Sequence, residues 1–120
     1  MADRSMARLQ AQLQEFAAER DWDQFHSPKN LIMALVGEIG ELVEIFQWLT
    51  PEESSQVMQD HGSAERVREE LADVMGYVLR LADVLDIDLS KALVDKIEVN
   101  RSKYPIDKAK GNATKYTDLK

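Results

Sequence analysis

Apolar residues recur every three or four positions along most of the chain, which is the period of an amphipathic helix. Four long segments show this period, and none shows the strict alternation typical of a half-buried strand. In the first segment the apolar positions are Met6, Leu9, Leu13 and Phe16. The pattern fades near Arg20-Asp21, so we expect the first helix to end there.

The second segment begins with two residues that favour a helix start, Ser27 as the N-cap and Pro28 at the first helical position. Its apolar rows predict a helix that runs to about Trp48. The sequence TPEE at 50–53 then has the form of a capping box with proline at the first helical position. We therefore expect a short helix over 51–58.

The third segment follows the chain-breaking sequence 60–63, in which Ser63 is the predicted N-cap. Its apolar positions are Val67, Leu71, Val74, Val78, Leu81 and Leu85. Asp88 is the predicted N-cap of a fourth helix, which ends before Tyr104-Pro105 because the residue before a proline disfavours helix. Residues 105–120 look irregular and basic. The sequence thus predicts one all-α domain over residues 1–120, a four-helix bundle with a basic tail.

The composition narrows the class of protein. Cysteine is absent, which excludes disulfides, thiolate zinc sites and cysteine nucleophiles. No apolar run approaches the ~18 residues of a membrane span, and residues 1–5 lack a secretory signal. The net charge is −7, and an acidic protein is a poor binder of polymeric nucleic acid. We therefore expect a cytoplasmic protein with neither a membrane nor polymeric nucleic acid as a partner.

Acidic residues fall beside or inside the apolar rows at two places. Glu38 lies within one row of the second helix, whose other members are Leu31, Leu35, Leu42 and Ile45. Glu41 follows one turn later on nearly the same face. Glu70 and Asp73 repeat this spacing in the third helix. If the two helices pack through their apolar rows, four carboxylates converge at the bundle.

Such a cluster needs a cation or protons. Two like charges about 5 Å apart repel by about 3 kcal/mol at an effective dielectric of about 20, and burial adds a desolvation cost. Oxygen ligands without cysteine or paired histidine favour Mg²⁺, with Mn²⁺ as a substitute, over zinc. A di-iron site would need a Glu-x-x-His pairing, which neither His26 nor His61 provides. The alternative is a solvated acidic face that binds no metal.

Aromatic residues near the acidic pairs fit a nucleotide site. Trp22 and His26 lie in the turn before the second helix, and Trp48 lies beyond the first acidic pair on its side of that helix. Tyr77 lies one turn beyond the second pair. Aromatic faces stack on nucleobases, but they also cover protein cores, and His26 could instead satisfy backbone groups in its turn.

On the fourth helix, Lys96 and Asn100 share one face, and Tyr104 follows at the helix end. Cations near a helix C-terminus compensate the helix dipole, typically by about 0.3–1 kcal/mol. The more specific interpretation is that Lys96 and Asn100 contact phosphate and sugar.

The acidic motif Glu38-x-x-Glu41, followed after 28 residues by Glu70-x-x-Asp73, resembles the metal signature of the all-α nucleoside triphosphate pyrophosphohydrolases, the MazG-like superfamily. Further stretches resemble the dCTP pyrophosphatase branch of that superfamily. These are FAAERDWDQFH at 16–26, ALVGEIGELVEIFQW at 34–48, NRSKYP at 100–105 and KYT at 115–117.

The resemblance implies Mg²⁺-dependent hydrolysis of a nucleoside triphosphate, dCTP or a 5-modified dCTP, to the monophosphate and pyrophosphate, as nucleotide-pool house-cleaning. It implies that the four acidic residues bind the metal and that one of them orients or deprotonates the attacking water. The other implied contacts are Trp22, His26 and Trp48 for the base, Lys96, Asn100 and Tyr104 for phosphates and sugar, and Tyr77 nearby. Relatives of this branch assemble as tetramers built from tightly packed dimers, which implies a homo-oligomer here.

Two other functions stay open. The same fold could act on dUTP, dATP or a phosphoribosyl-nucleotide. Alternatively the chain could be a non-catalytic helical oligomer that binds partners through its apolar faces. The modest core of 120 residues makes a homodimer or homotetramer plausible in either case.

Overall fold

The computed structural model describes residues 3–120, and each regular element in this range is helical, which confirms the all-α prediction. The sequence predicts no secretory signal in residues 1–5, and the first two of these lie outside the described residues. The α-helices are α1 (Met6–Glu19), α2 (Pro28–Phe46), α3 (Pro51–Ser54), α4 (His61–Val84), α5 (Leu89–Lys103) and α6 (Ile106–Ala109). Single 3₁₀ turns lie at Asp23–Phe25, Val57–Gln59 and Tyr116–Asp118. None of the helices within 3–120 is long and apolar enough to cross a membrane.

Side chains cap three helices at the predicted positions. Ser27 and Asp88 each accept a hydrogen bond from the backbone N–H three residues later, at the starts of α2 and α5. Thr50 and Glu53 form the reciprocal capping box at α3. Each such cap typically stabilises a helix by about 1 kcal/mol. The local sequence therefore determines where these helices begin.

Two predicted boundaries are wrong. Asp60, not Ser63, is the N-cap of α4, because its Oδ2 accepts a hydrogen bond from the Ser63 backbone N–H at 3.0 Å. The predicted helix over 51–58 ends at Ser54 and resumes only as a 3₁₀ turn. There the hydroxyls of Ser54 and Ser55 both donate to the carbonyl oxygen of Pro51, a side-chain bond that competes with continued helix.

The chain divides into two compact units, of which the first ends at Asp86 and the second runs from Ile87 to Lys120. In the first unit α4 packs along α2 and against α1. Its buried apolar residues are Ala17, Leu31, Ala64, Val67, Leu79 and Ala82. The core of this unit therefore comes from three helices.

One of two adjacent apolar rows on α2 faces this core. The buried or half-buried row consists of Leu31, Leu35, Leu42 and Ile45. The neighbouring row is between 43% and 59% exposed and consists of Ile32, Val36, Ile39 and Val43. Glu38 belongs to the buried row, and this position directs its carboxylate toward α4.

The second unit contains α5, which ends before Tyr104-Pro105 as predicted. Residues 105–120 are less irregular than expected, since α6 and a 3₁₀ turn lie among them. The rings of Tyr104 and Tyr116 meet edge to face, with centroids 6.1 Å apart, and Lys103 Nζ lies 4.5 Å from the Tyr116 ring centroid. These aromatic contacts hold the tail in an ordered path.

Candidate active site

Three carboxylates meet where α2 packs on α4. Glu38 and Glu41 come from α2 and Glu70 from α4, and one oxygen of each lies within 4.8 Å of the others. The i, i+3 spacing puts the two α2 residues on one side of their helix, and the helix contact adds Glu70. Asp73, one turn further along α4, lies outside this group of oxygens and lines the cavity described below. The structure thus brings three of the predicted acidic residues together, with the fourth beside them.

Two oxygens of this carboxylate cluster, defined as Glu38, Glu41 and Glu70, are buried without a hydrogen-bond partner. They are Oε2 of Glu38 and Oε2 of Glu70, and no other buried side-chain nitrogen or oxygen within residues 3–120 is left unpartnered. A polar atom withdrawn from water without a partner costs about 1–3 kcal/mol, and more when it is charged. The cluster therefore lacks either a proton or a cation.

The pKa values in the cluster also indicate that it needs a proton or a cation. Burial, followed by the nearby carboxyls of Glu38 and Glu41, raises the pKa of Glu70 to about 7. A protonated Glu70 can donate a hydrogen bond to Glu38, which lowers the pKa of Glu38, but desolvation and the charges of Glu41 and Asp73 outweigh it and leave that pKa raised. When all the carboxyls are ionised, none of them can donate, and the two buried oxygens stay unpartnered.

The cluster fits a divalent cation. Such ions take oxygen ligands at about 2.0–2.6 Å, so oxygens on opposite sides of one ion are about 4–5 Å apart. The 4.8 Å limit on the cluster's oxygens is within that span. All three donors are carboxylate oxygens, which suit hard cations better than zinc. A bound cation would give both buried oxygens a partner.

A cavity of about 250 Å³ opens beside Asp73. Its lining residues are Leu13, Phe16, Ala17, Trp22, His26, Ala72, Asp73, Gly76, Tyr77 and Arg80. Four of them (Trp22, His26, Asp73 and Tyr77) are predicted site residues, drawn from the α1–α2 turn and from α4. The cavity therefore joins an aromatic wall to the acidic end of the site.

The aromatic wall is built by the end of α1. Asp21 adopts a left-handed backbone conformation with φ of 56°, and the N–H groups of Asp21 and Trp22 donate to the carbonyls of Ala18 and Ala17. This is the Schellman arrangement, with aspartate where glycine is usual. It folds Trp22 back against Phe16, with ring centroids 5.6 Å apart. A local helix-ending motif thus positions Trp22 in the cavity wall.

Arg80 is a cavity residue that the sequence interpretation missed. Its guanidinium donates to His26 Nδ1 at 3.1 Å, Asp23 Oδ1 at 2.7 Å and Asp83 Oδ2 at 3.3 Å, although the residue is only 8% exposed. The signal was its spacing, since Asp73, Tyr77 and Arg80 recur at steps of four and three on α4. That spacing puts an arginine on the face that carries the cavity residues.

Four further residues were predicted to contribute to the site. Trp48 follows the end of α2, is 86% exposed and is not part of the cavity wall. Lys96 and Asn100 lie on α5 and Tyr104 is its C-cap, all in the second unit. The roles of these four residues stay predictions.

The fold and the site define a class, namely helical proteins with paired acidic motifs on two packed helices beside an aromatic cavity. A family model described as the MazG-like family matches residues 33–119. The chain belongs to the MazG-like family.

Curated relatives carry the same name in several mammals. Residues of this chain are 48% identical over 80 residues to dCTP pyrophosphatase 1 of Rattus norvegicus, and 49% identical over 80 residues to that of Homo sapiens. Each match covers 67% of this chain and 47% of the relative, so the chain spans about half the length of these relatives.

A solved structure is similar over nearly its whole length. It is the crystal structure of a pyrophosphatase from Archaeoglobus fulgidus, with 39% sequence identity and a TM-score of 0.79. The similarity covers 88% of this chain and 96% of that one. The all-α fold of this chain is therefore the MazG-like fold.

Proposed function

We propose that this chain is a divalent-metal-dependent nucleotide pyrophosphohydrolase. It cleaves a deoxynucleoside triphosphate, dCTP or a 5-modified dCTP, with water to give the monophosphate and pyrophosphate. The observation that carries the proposal is the pair of unpartnered buried oxygens on Glu38 and Glu70 next to the aromatic cavity. Family membership and the names of the relatives support the reaction class.

The four acidic residues are the proposed metal ligands. Glu38, Glu41 and Glu70 supply converging oxygens, and Asp73 extends the set toward the cavity. Held by these residues, Mg²⁺ (or Mn²⁺ in its place) would offset the charge of the triphosphate and polarise phosphorus. One carboxylate of the set orients or deprotonates the water that attacks the α-phosphorus. The bond from that phosphorus to the bridging oxygen breaks, and pyrophosphate leaves.

The cavity is the proposed base site. Trp22 offers an aromatic face, His26 a polar ring nitrogen and Tyr77 a ring beside the acidic residues, all within a volume of about 250 Å³. Stacking on an aromatic side chain typically stabilises a bound base by about 1–3 kcal/mol. The names of the curated relatives support the proposed preference for cytosine.

Four further residues complete the proposal. Lys96, Asn100 and Tyr104 would contact phosphates and sugar, and Trp48 would contact the base. Trp48 stands 86% exposed in a single chain, which suits a residue that contributes to a site shared between subunits.

We also propose a four-helix bundle core, assembly into a homodimer or homotetramer, and a cytoplasmic location. The support for assembly is the exposed apolar row of Ile32, Val36, Ile39 and Val43 on α2. Contiguous apolar surface of this kind is typical of subunit interfaces. In analytical ultracentrifugation, a Val36→Glu variant should sediment as a smaller species than the wild type. Equal sedimentation of the two would contradict the role of this row.

The experiment that tests the function measures pyrophosphate and phosphate release from each of the four canonical dNTPs, dUTP and 5-methyl-dCTP. Each is tested with Mg²⁺ and with a chelator. Mg²⁺-dependent pyrophosphate release, greatest with dCTP or its 5-methyl form, is the expected result. Pyrophosphate release that is greatest with a nucleotide of another base would support the metal site but reject the preference for cytosine. No release from any substrate would reject the enzyme assignment.

A further inference from the structure

We propose that Arg80 is a positioning residue that holds His26 in the tautomer with its hydrogen on Nε2. The cavity then presents a fixed hydrogen-bond donor to the nucleobase. The consequence for substrate rests on the proposed function, whereas the tautomer itself is a property of the protein alone.

Arg80 is the donor in its contact with His26. Arg80 Nε lies 3.1 Å from His26 Nδ1. A guanidinium has only donors and stays charged in proteins, so Nδ1 must be the acceptor. A neutral imidazole with an accepting Nδ1 carries its hydrogen on Nε2. The geometry of one contact therefore determines which histidine nitrogen donates.

Arg80 is itself held in place by two aspartates. Its two terminal nitrogens bind Asp23 and Asp83, and its side chain is 9% exposed. Asp23 comes from the 3₁₀ turn beside His26, while Asp83 lies one turn along α4. All three nitrogens of the planar guanidinium are thus used, and the planar fork geometry limits its rotation.

The other ring nitrogen of His26, Nε2, is available to a ligand. His26 lines the cavity together with Asp73 and Tyr77 of α4, and its ring meets Trp22 edge to face at 6.4 Å. Among the described residues no hydrogen bond to its Nε2 is found, and this nitrogen is not one of the buried unpartnered atoms. Because Nδ1 faces Arg80, Nε2 is on the opposite side of the ring.

The electrostatics support a neutral ring. Burial and then the charge of Arg80 lower the pKa of His26, while Asp23 raises it by less. A neutral imidazole with a donating Nε2 fits a base atom with a lone pair, such as a carbonyl oxygen or an unprotonated ring nitrogen. It rejects an N–H group at the same position, because two donors would face each other. Arg80 thereby acts on base selection through His26.

The direct test is ¹⁵N NMR of histidine-labelled protein without nucleotide, with His26 assigned by comparison with a His61→Gln variant. We expect His26 to show an unprotonated Nδ1 and a protonated Nε2 from pH 7 to 8. In Arg80→Met the fixed tautomer should be lost, and the ring should protonate at higher pH because Asp23 and Asp83 remain. Arg68→Met, which removes an exposed arginine of the same helix, should leave the His26 signals unchanged.

A wild-type spectrum with hydrogen on Nδ1, or with a charged ring at pH 7, would overturn the proposal even if Arg80→Met does not fold. So would an Arg80→Met spectrum identical to the wild type.

Kinetics test the consequence for substrate. Arg80→Met should raise KM for the preferred nucleotide about tenfold, the equivalent of one lost hydrogen bond, with a smaller change in kcat. The fall of its kcat/KM at acid pH should begin at a higher pH than that of the wild type. Arg80→Gln keeps an N–H donor and should recover part of the KM. Unchanged KM and pH profile in folded Arg80→Met would overturn the link to substrate, whereas an inactive wild type with the expected spectrum would reject only the proposed function.

Discussion

Two groups of ionisable side chains lie in the first unit, and they are partnered in opposite ways. In the carboxylate cluster, Glu38 and Glu70 each leave a buried oxygen without a hydrogen-bond partner. Around Arg80, each guanidinium nitrogen has an acceptor, from His26, Asp23 or Asp83. Both groups use side chains of α4, since Glu70 lies about three turns before Arg80 on that helix.

The protein itself supplies every partner of the Arg80 guanidinium, whereas it leaves two oxygens of the carboxylate cluster for a ligand to satisfy. A fully partnered buried network holds one geometry, while a partly satisfied one costs free energy until something fills it. The Arg80 group therefore forms a fixed wall of the cavity, whereas the carboxylate cluster needs either a cation or a proton. Four predictions test this contrast, in order of decreasing effect.

The largest effect is expected for Glu38→Gln. The amide keeps the shape of the side chain but removes a charged ligand, so pyrophosphate release should fall by about 10²–10³-fold, while the fold is retained. Glu44→Gln on the same helix changes an exposed glutamate outside the cluster and is the matched control. Circular dichroism checks folding and a pyrophosphate assay measures turnover. Activity of Glu38→Gln equal to that of Glu44→Gln would contradict the metal assignment.

Metal binding should be visible without catalysis. A Mg²⁺ concentration one hundred times its Kd should stabilise the wild type by about 2.7 kcal/mol, which calorimetry records as a higher Tm. Glu70→Gln should lose this shift because a ligand is gone, whereas the neighbouring exposed Glu69→Gln should keep it. Equal Tm shifts in all three proteins would mean that the ion binds elsewhere.

In chelator, stability should depend on the protonation of Glu70. Its folded pKa of about 7 lies above the ordinary 4.5, so its stabilising contribution is present below about pH 4.5 and is lost as the pH rises through about 7. The Tm of the metal-free wild type should therefore fall between pH 5 and 8. Glu70→Gln should show a flatter profile over the same range, and parallel profiles would remove Glu70 as the cause.

The smallest effect is expected for Gly76→Ala on α4. An added Cβ meets no atom within 4 Å, and alanine favours a helix interior over glycine by about 1 kcal/mol, so the Tm should rise. Because Gly76 lines the cavity, the methyl group should also raise the KM for the nucleotide a few-fold. A higher Tm with an unchanged KM would show that the base does not occupy this part of the cavity.

The parts of the molecule that could be predicted from sequence are those determined by near neighbours in the chain. The caps at Ser27 and Asp88 and the acidic pair of Glu38 and Glu41 depend on residues three positions apart. At 60–63 two capping residues also lie three apart, and the sequence does not reveal that Asp60 is chosen over Ser63.

Features set by distant contacts were not predictable. Arg80 is a single basic residue in an apolar stretch until the turn after α1 brings Asp23 and His26 to it, more than fifty positions away in sequence. Periodicity likewise does not tell which of two apolar rows on α2 faces the core. The exposed position of Trp48 depends on where α2 ends, and helix ends are set by competing local bonds.

The helix-ending turn at Asp21 has a consequence for how such a site can diversify. The wall residues Phe16, Trp22 and His26 all come from one short contiguous segment, whereas the carboxylates come from two helices that must pack together. Substitutions within 16–26 can therefore remodel the shape and polarity of the cavity and leave the acidic residues untouched. Changes confined to residues 16–26 could therefore switch the nucleobase that the proposed site prefers, while the acidic residues proposed to act on the phosphates stay the same.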